Sequence, residues 1–236
     1  MKYLSIIFIF LTTIAKSQVF SYPQLSKQGK NIEALIPANW KAIDTAYGDL
    51  NNDKLDDLAI ILEYKLPITE NRAYGSNDIE LVKEFQRPRV LAIYFKHTQS
   101  GKYTLVTQNN NFILRANEGG SLGDPLKNLS IAANKLSLKF EGGANWRWIL
   151  NYEFKYTNSD WNLVKANNIY YNANSGEMTN RHYDFLDRKM RIISGNLGDR
   201  DGNNLINEET LFFTNFKTLA NFKKPWTWEI STDNFL

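Results

Sequence analysis

The sequence predicts an all-β domain of short antiparallel strands, arranged either as a β-propeller-like array of small sheets or as a β-sandwich. Three observations carry that reading. Turn signals recur at roughly eight- to twelve-residue spacing, as in all-β domains. Large apolar side chains alternate strictly from Trp146 to Tyr156. Helical periodicity is almost absent, while aromatic residues make up 14% of the chain and include six Trp, which suits sheets that bury broad rings.

Lys2 precedes an apolar stretch from Tyr3 to Ala15, and Ala15-Lys16-Ser17 sets small residues at the positions a signal peptidase reads. Residues 1–17 are thus expected to be a secretory signal peptide, with 18–236 forming a single all-β domain in the periplasm or outside the cell. The apolar stretch falls short of the ~20 residues of a spanning helix, and no later segment approaches that length, so no membrane span is expected. Cysteine is absent. Disulfides, thiol catalysis, thiolate zinc sites and a lipid-modified cysteine are all excluded. The formal charge of +3 includes Lys2 and Lys16 of the leader, and the remaining balance carries no electrostatic footprint for nucleic acid.

Pro23, Gly29 and Pro37 punctuate residues 18–39, with a short turn expected at Asn31 to Leu35. Trp40 to Tyr47 reads as a strand. It leads through an acidic loop into Leu58 to Leu62, whose unbroken apolar run predicts a strand buried on both faces. Lys65 to Arg87 is polar and reads as a long surface insertion with one helical turn around Ile79 to Phe85. Arg89 to Lys96 and Lys102 to Gln108 form a hairpin about Ser100-Gly101. Loops follow at Asn109 to Asn111 and Glu118 to Pro125. Strands are then expected at Leu129 to Ala132, Lys135 to Phe140, Trp146 to Tyr156, Trp161 onward, Glu177 to Leu186 and Lys189 to Ser194. The alternation breaks once, at Lys165.

The stretch Gly48-Asp49-Leu50-Asn51-Asn52-Asp53-Lys54-Leu55-Asp56-Asp57 places oxygen donors at alternate positions of one tight turn. Calcium takes six to eight oxygens in irregular geometry, which such a loop supplies from side chains, a mid-loop carbonyl and a closing carboxylate. The predicted ligands are Asp49, Asn51, Asp53, the carbonyl of Leu55, and Asp57. The competing reading is a polar turn whose Asp side chains cap backbone amides. A second candidate, Asp199, Asp201, Asn203, Asn207 and Glu209, has its last acid one position short of the helix-loop-helix calcium pattern.

Gly48 to Leu58 resembles the calcium loop of FG-GAP and VCBS repeats, the units of integrin-type β-propellers. Those loops usually carry glycine where this chain has Asn52 and Lys54. The order of the acidic loop, Asn109 to Phe112, Glu118-Gly119-Gly120, Gly143 with Trp146-Arg147-Trp148, and Tyr152 to Tyr156 followed by Trp161 resembles a group of exported bacterial proteins of uncertain function. It also resembles, more loosely, the calcium-binding periplasmic proteins that inhibit lysozyme-like hydrolases, including immunity proteins. What these resemblances imply is a structural calcium and a partner that is a protein hydrolase or a cell-wall glycan.

Catalytic motifs are lacking. Neither a serine nucleophile elbow, nor a phosphate-cradling glycine loop, nor a metalloprotease helix is present. His97 and His182 read as surface or satisfied polar residues. Glu118, Asp124 and Glu141 are the carboxylates that a glycan hydrolase would need to bring together. The aromatic run Trp146 to Tyr156 reads as core, with a sugar-stacking platform as the other reading. Three classes stay open: an exported binding or inhibitor protein with a structural calcium, a secreted glycan-acting hydrolase, and a calcium-stabilised adhesion module.

Overall fold

The computed structural model describes residues 20–73, 81–199, 203–231 and 234–236. The expected signal peptide lies outside them. In chain order the strands are β1 (Gln28–Gly29), β2 (Trp40–Gly48), β3 (Asp57–Tyr64), β4 (Ile68–Ala73), β5 (Leu81–Gln86), β6 (Arg89–Lys96), β7 (Tyr103–Asn109), β8 (Leu126–Ala132), β9 (Lys135–Gly143), β10 (Trp146–Thr157), β11 (Asp160–Asn172), β12 (Glu177–Asp184), β13 (Lys189–Asn196), β14 (Leu205–Thr210), β15 (Glu229–Ser231) and β16 (Asn234–Phe235). The expected all-β antiparallel class is what forms. Among the described residues no helix is long and apolar enough to cross a membrane.

Two sheets carry the fold. One has five strands in the order β1-β7-β6-β3-β2, and the other is a seven-stranded meander running from β8 to β14. They share a core, with Ala46, Ala59, Ile61, Leu91 and Ile93 from the first sheet and Leu136, Leu138, Phe140, Leu150, Tyr152 and Phe154 from the second. This layering is that of a sandwich. Phe112 fills the centre, with its ring edge-on to those of Tyr152, Phe154 and Phe222 at 5.2 to 5.4 Å.

The five-stranded sheet is covered on its other face as well. Leu58, Ile60, Leu62, Val90, Ala92 and Tyr94 pack there against Leu25, Leu35 and Trp40. Leu58 to Leu62 are all inaccessible to solvent, as an apolar run without alternation requires. The cover includes the short 3-10 turn Glu33–Leu35, where Asn31 Oδ1 accepts the Ala34 amide at 3.1 Å.

The alternation in β10 sorts as core from Trp148 onward, with Leu150, Tyr152 and Phe154 fully buried and Trp148 and Tyr156 packed against the core's margin, but Trp146, also expected in the core, is exposed. Its partner β11 has a bulge. Glu153 pairs with Lys165 but Phe154 pairs with Leu163, so Val164 is an extra residue. That is why the alternation breaks at Lys165 in the sequence: Leu163 and Val164 are both buried, Lys165 is exposed, and Ala166 returns inward.

Two segments depart from expectation. Leu81–Gln86 is a strand paired with β4, where a helical turn was expected around Ile79 to Phe85; residues 79 and 80 lie outside the described residues. Leu205–Thr210 is a strand paired with β13, where the second calcium candidate was read. Strand geometry advances about 3.3 Å per residue, which carries Asn207 and Glu209 away from the turn at Asp199. Asp201 lies outside the described residues.

Candidate functional site

The acidic loop joins β2 to β3, as the sequence implies. Its conformation is set by short-range bonds from its own carboxylates. Asp49 Oδ1 accepts the amides of Asn52 at 2.7 Å and Asp53 at 3.2 Å, and Asp49 Oδ2 accepts that of Lys54 at 2.9 Å. Asn51 Oδ1 accepts the Asp53 amide at 3.0 Å, and Asp53 Oδ1 accepts the Leu55 amide at 2.8 Å. These are Asx turns in succession. They hold Asn52 and Lys54 at φ +67°, in the left-handed region that favours glycine. Asn tolerates the left-handed region, whereas Lys there costs roughly 1–2 kcal/mol.

Asp57 behaves differently from the other acids. It is wholly buried. Its Oδ2 accepts the Leu50 amide at 2.9 Å and its Oδ1 accepts the Lys96 amide at 3.0 Å. Burial pushes its carboxyl above the usual range; the two amides oppose the shift without cancelling it, and Asp53 and Asp49 add to it. Leu50 anchors the loop in the shared core, and Asn134 Nδ2 donates to Asp49 O at 3.0 Å, tying the loop to the β8–β9 turn.

The donor types suit calcium, and each Asp57 oxygen keeps a lone-pair site beyond its amide bond. Among the described residues, however, no three His, Cys, Asp or Glu side chains are grouped so as to hold a metal. The described geometry is therefore that of an amide-capped loop built from calcium-compatible donors.

A second cluster of charged side chains lies elsewhere, on the solvent face of the seven-stranded sheet. A trough of about 400 Å³ opens there, lined by Glu153, Asp184, Asp187 and Glu208 against Lys165, Lys189 and Arg191. Register builds it. Glu153, Lys165, Asp184 and Lys189 are directly opposite one another across β10 to β13, so the sign of charge alternates strand by strand. Asn151, Asn167, His182, Arg191 and Glu208 form the adjoining row over β10 to β14.

Local bonds hold this row in place. Lys165 pairs with Asp184 at 3.2 Å, which raises the lysine's pKa, and Glu153 pairs with Lys135. Burial pushes the Asp184 carboxyl up, but the amide of Asp187, the ammonium of Lys165 and the amide of Leu186 outweigh it and leave the group below its ordinary value. Asn167 Nδ2 lies 3.1 Å from His182 Nδ1. An amide donor there makes Nδ1 the acceptor and puts the ring proton on Nε2. Desolvation, and then Arg191, keep the imidazole pKa below its usual value. His97 instead closes the β6–β7 hairpin through backbone bonds to Lys102 and Gly101.

Two buried guanidinium groups organise the interior. Arg89 bonds Glu63 at 2.8 and 3.0 Å, the Leu114 carbonyl at 2.9 Å and Asp124. Arg115 bonds Glu70 at 3.0 Å, the Tyr22 hydroxyl at 2.7 Å and the carbonyls of Ile113, Asn110 and Arg89. Glu118 accepts the Arg115 amide at 2.6 Å and faces Lys224 Nζ at 3.5 Å. Of the carboxylates considered for glycan cleavage, Glu118 and Asp124 are thus engaged by cations in this network, and Glu141 stands on β9 opposite Ile149.

Sequence reasoning located the acidic loop but not the trough. The one local signal was Lys165 interrupting the apolar alternation. The chain matches no family model, no curated protein and no solved structure at a significant level.

Proposed function

We propose that this is an exported binding protein whose trough on the seven-stranded sheet receives a charged protein partner, and whose Asp49 to Asp57 loop takes a structural calcium ion. The observation that carries the reading is the ordered series Glu153, Lys165, Asp184, Lys189 across four neighbouring strands around an open trough of about 400 Å³. Alternating charge on a rigid sheet fixes the register of a partner and rejects wrong ones through like-charge contacts. The calcium part is supported by the donor types at Asp49, Asn51, Asp53, Leu55 and Asp57, and millimolar affinity suffices outside the cell.

A hydrolase of the lysozyme type is the partner class that the resemblance implies. The test mixes the purified protein with a panel of such enzymes and cell-wall substrate. Slowed hydrolysis, relieved by Lys165→Glu or Arg191→Glu, is the expected result. Undiminished hydrolysis across the panel would remove the inhibitor reading.

A further inference from the structure

The core-facing side of the seven-stranded sheet continues beyond the core. Register sets Trp148, Tyr170, Thr179, Ser194 and Leu205 in one row across β10 to β14, next to the row that Leu150 heads. Leu150 is fully buried and Trp148 still packs on the core's margin, but the cover does not extend over Tyr170 and Trp146. Trp146 stacks on Tyr170 there, with ring centroids 5.0 Å apart and planes 5° apart. Even so, 39% of Trp146 and 44% of Tyr170 stay exposed.

The ledge is rigid. Trp148 meets Trp226 edge-on at 4.7 Å, and a Cβ at Gly142 would come within 2.3 Å of the Trp148 ring, so glycine is what lets the indole lie flat on β9. The backbone under Trp146 is pinned as well, with the Ala144 amide bonded to the Trp146 carbonyl at 2.9 Å and the Ala173 amide to that of Asn145 at 2.7 Å. On the same face, Asn168 and Arg181 stand directly opposite each other in the row beside Tyr170, and both are half-buried. An exposed aromatic stack thus has an amide, a guanidinium and the Thr179 hydroxyl within neighbouring positions.

We propose that the Trp146–Tyr170 ledge is a saccharide subsite for a neutral β-linked glycan. An aromatic face is the negative pole of the ring's quadrupole and attracts polarised C–H groups, which a β-linked pyranose presents along its flat side. Sugar hydroxyls also need hydrogen-bond partners when their water is removed, and Asn168, Arg181 and Thr179 offer donors and acceptors at neighbouring positions of the same face. Binding sites combine an apolar platform with a few placed polar groups in this way. Arg181 is the one ionisable group of this set, in contrast to the densely charged trough on the opposite face. The subsite stands independently of the protein partner proposed above.

Titration calorimetry of the full chain with cellotetraose and with chitotetraose tests the subsite. Saturable heat with one of them is expected, with affinity about tenfold weaker in Trp146→Ala and retained in Tyr170→Phe, which keeps the ring. Should Trp146→Ala fail to fold, Asn168→Ala replaces it, again with about tenfold loss expected. Absence of saturable heat with both oligosaccharides, or unchanged affinity in the folded variant, would overturn the proposal and leave the pair as a brace for the sheet's end.

Discussion

The buried carboxylate of Asp57 accepts the amide hydrogen of Lys96 at 3.0 Å, fastening the first residue of β3 to the last residue of β6. With the Leu50 amide on its other oxygen, Asp57 faces two donors and no cation of its own among the described residues. Asp57→Asn would turn an NH₂ group toward one of those amides. A loss of about 1–3 kcal/mol is expected, read from the urea midpoint.

The same group makes a pH prediction. Burial raises its carboxyl above the unfolded value of 3.8, so the folded chain holds the proton more tightly. The associated stability is present below that value and is lost as the pH rises through the higher folded pKa. Urea unfolding with chelator should show this falling limb, and Asp57→Asn should remove it.

Calcium reverses the sign of that argument, because a cation beside the loop favours ionised carboxylates. Melting stability in calcium should exceed that in chelator, by about 0.4 kcal/mol when calcium equals Kd and about 2.7 kcal/mol at one hundred times Kd. Asp53→Ala should abolish the difference. Superimposable melts of the unmodified chain would end the calcium reading.

Arg89 supports a second pH-sensitive feature, of opposite sign. Burial pushes Asp124 up, but Arg89, the Leu126 amide and Lys127 together outweigh it, and the carboxyl lies below its ordinary 3.8. Its stabilisation is present above 3.8 and is lost as the pH falls through the lower folded value. Arg89→Met should flatten that acid limb. It also leaves Glu63 buried with only the exposed Lys41 as a cationic partner among the described residues, at a cost on the order of 3–5 kcal/mol by chemical denaturation.

Tyr152 offers a change in the other direction. Its hydroxyl is buried with no hydrogen-bond partner among the described residues, and burial raises its pKa well above the usual tyrosine value. Tyr152→Phe removes the unmet polar group and keeps the ring against Phe112, so a neutral effect or a gain of about 1 kcal/mol is expected from the melting midpoint.

How far the chain could be read follows from where its apolar residues sit. β3 was legible because Leu58 to Leu62 is buried on both faces, and β10 because every second side chain is large and, from Trp148 to Tyr156, packed on the core. β14 was not, since all six of its residues are exposed and its acids imitate a metal loop. The β4–β5 hairpin carries few apolar residues and is held by paired backbone and by Glu70 on Arg115. The acidic loop is local in sequence and so announced itself. The trough is assembled from five strands, and no local spacing encodes it.

Val164 makes that dependence concrete. The bulge lets β11 carry one extra residue without changing the side that any later position takes, because Lys165 stays opposite Glu153 and Ala166 opposite Tyr152, and β12, β13 and β14 inherit their facing from β11 by pairing. The bulge thus acts as a frame correction in three dimensions. Deleting Val164 would close it and leave Lys165 on the trough side and Ala166 toward the core, whereas forcing the full-length strand into unbulged alternation would exchange the ledge and trough rows of β11. Length at that position is thereby uncoupled from facing: a chain one residue shorter there would pair without a bulge and present the same two surfaces.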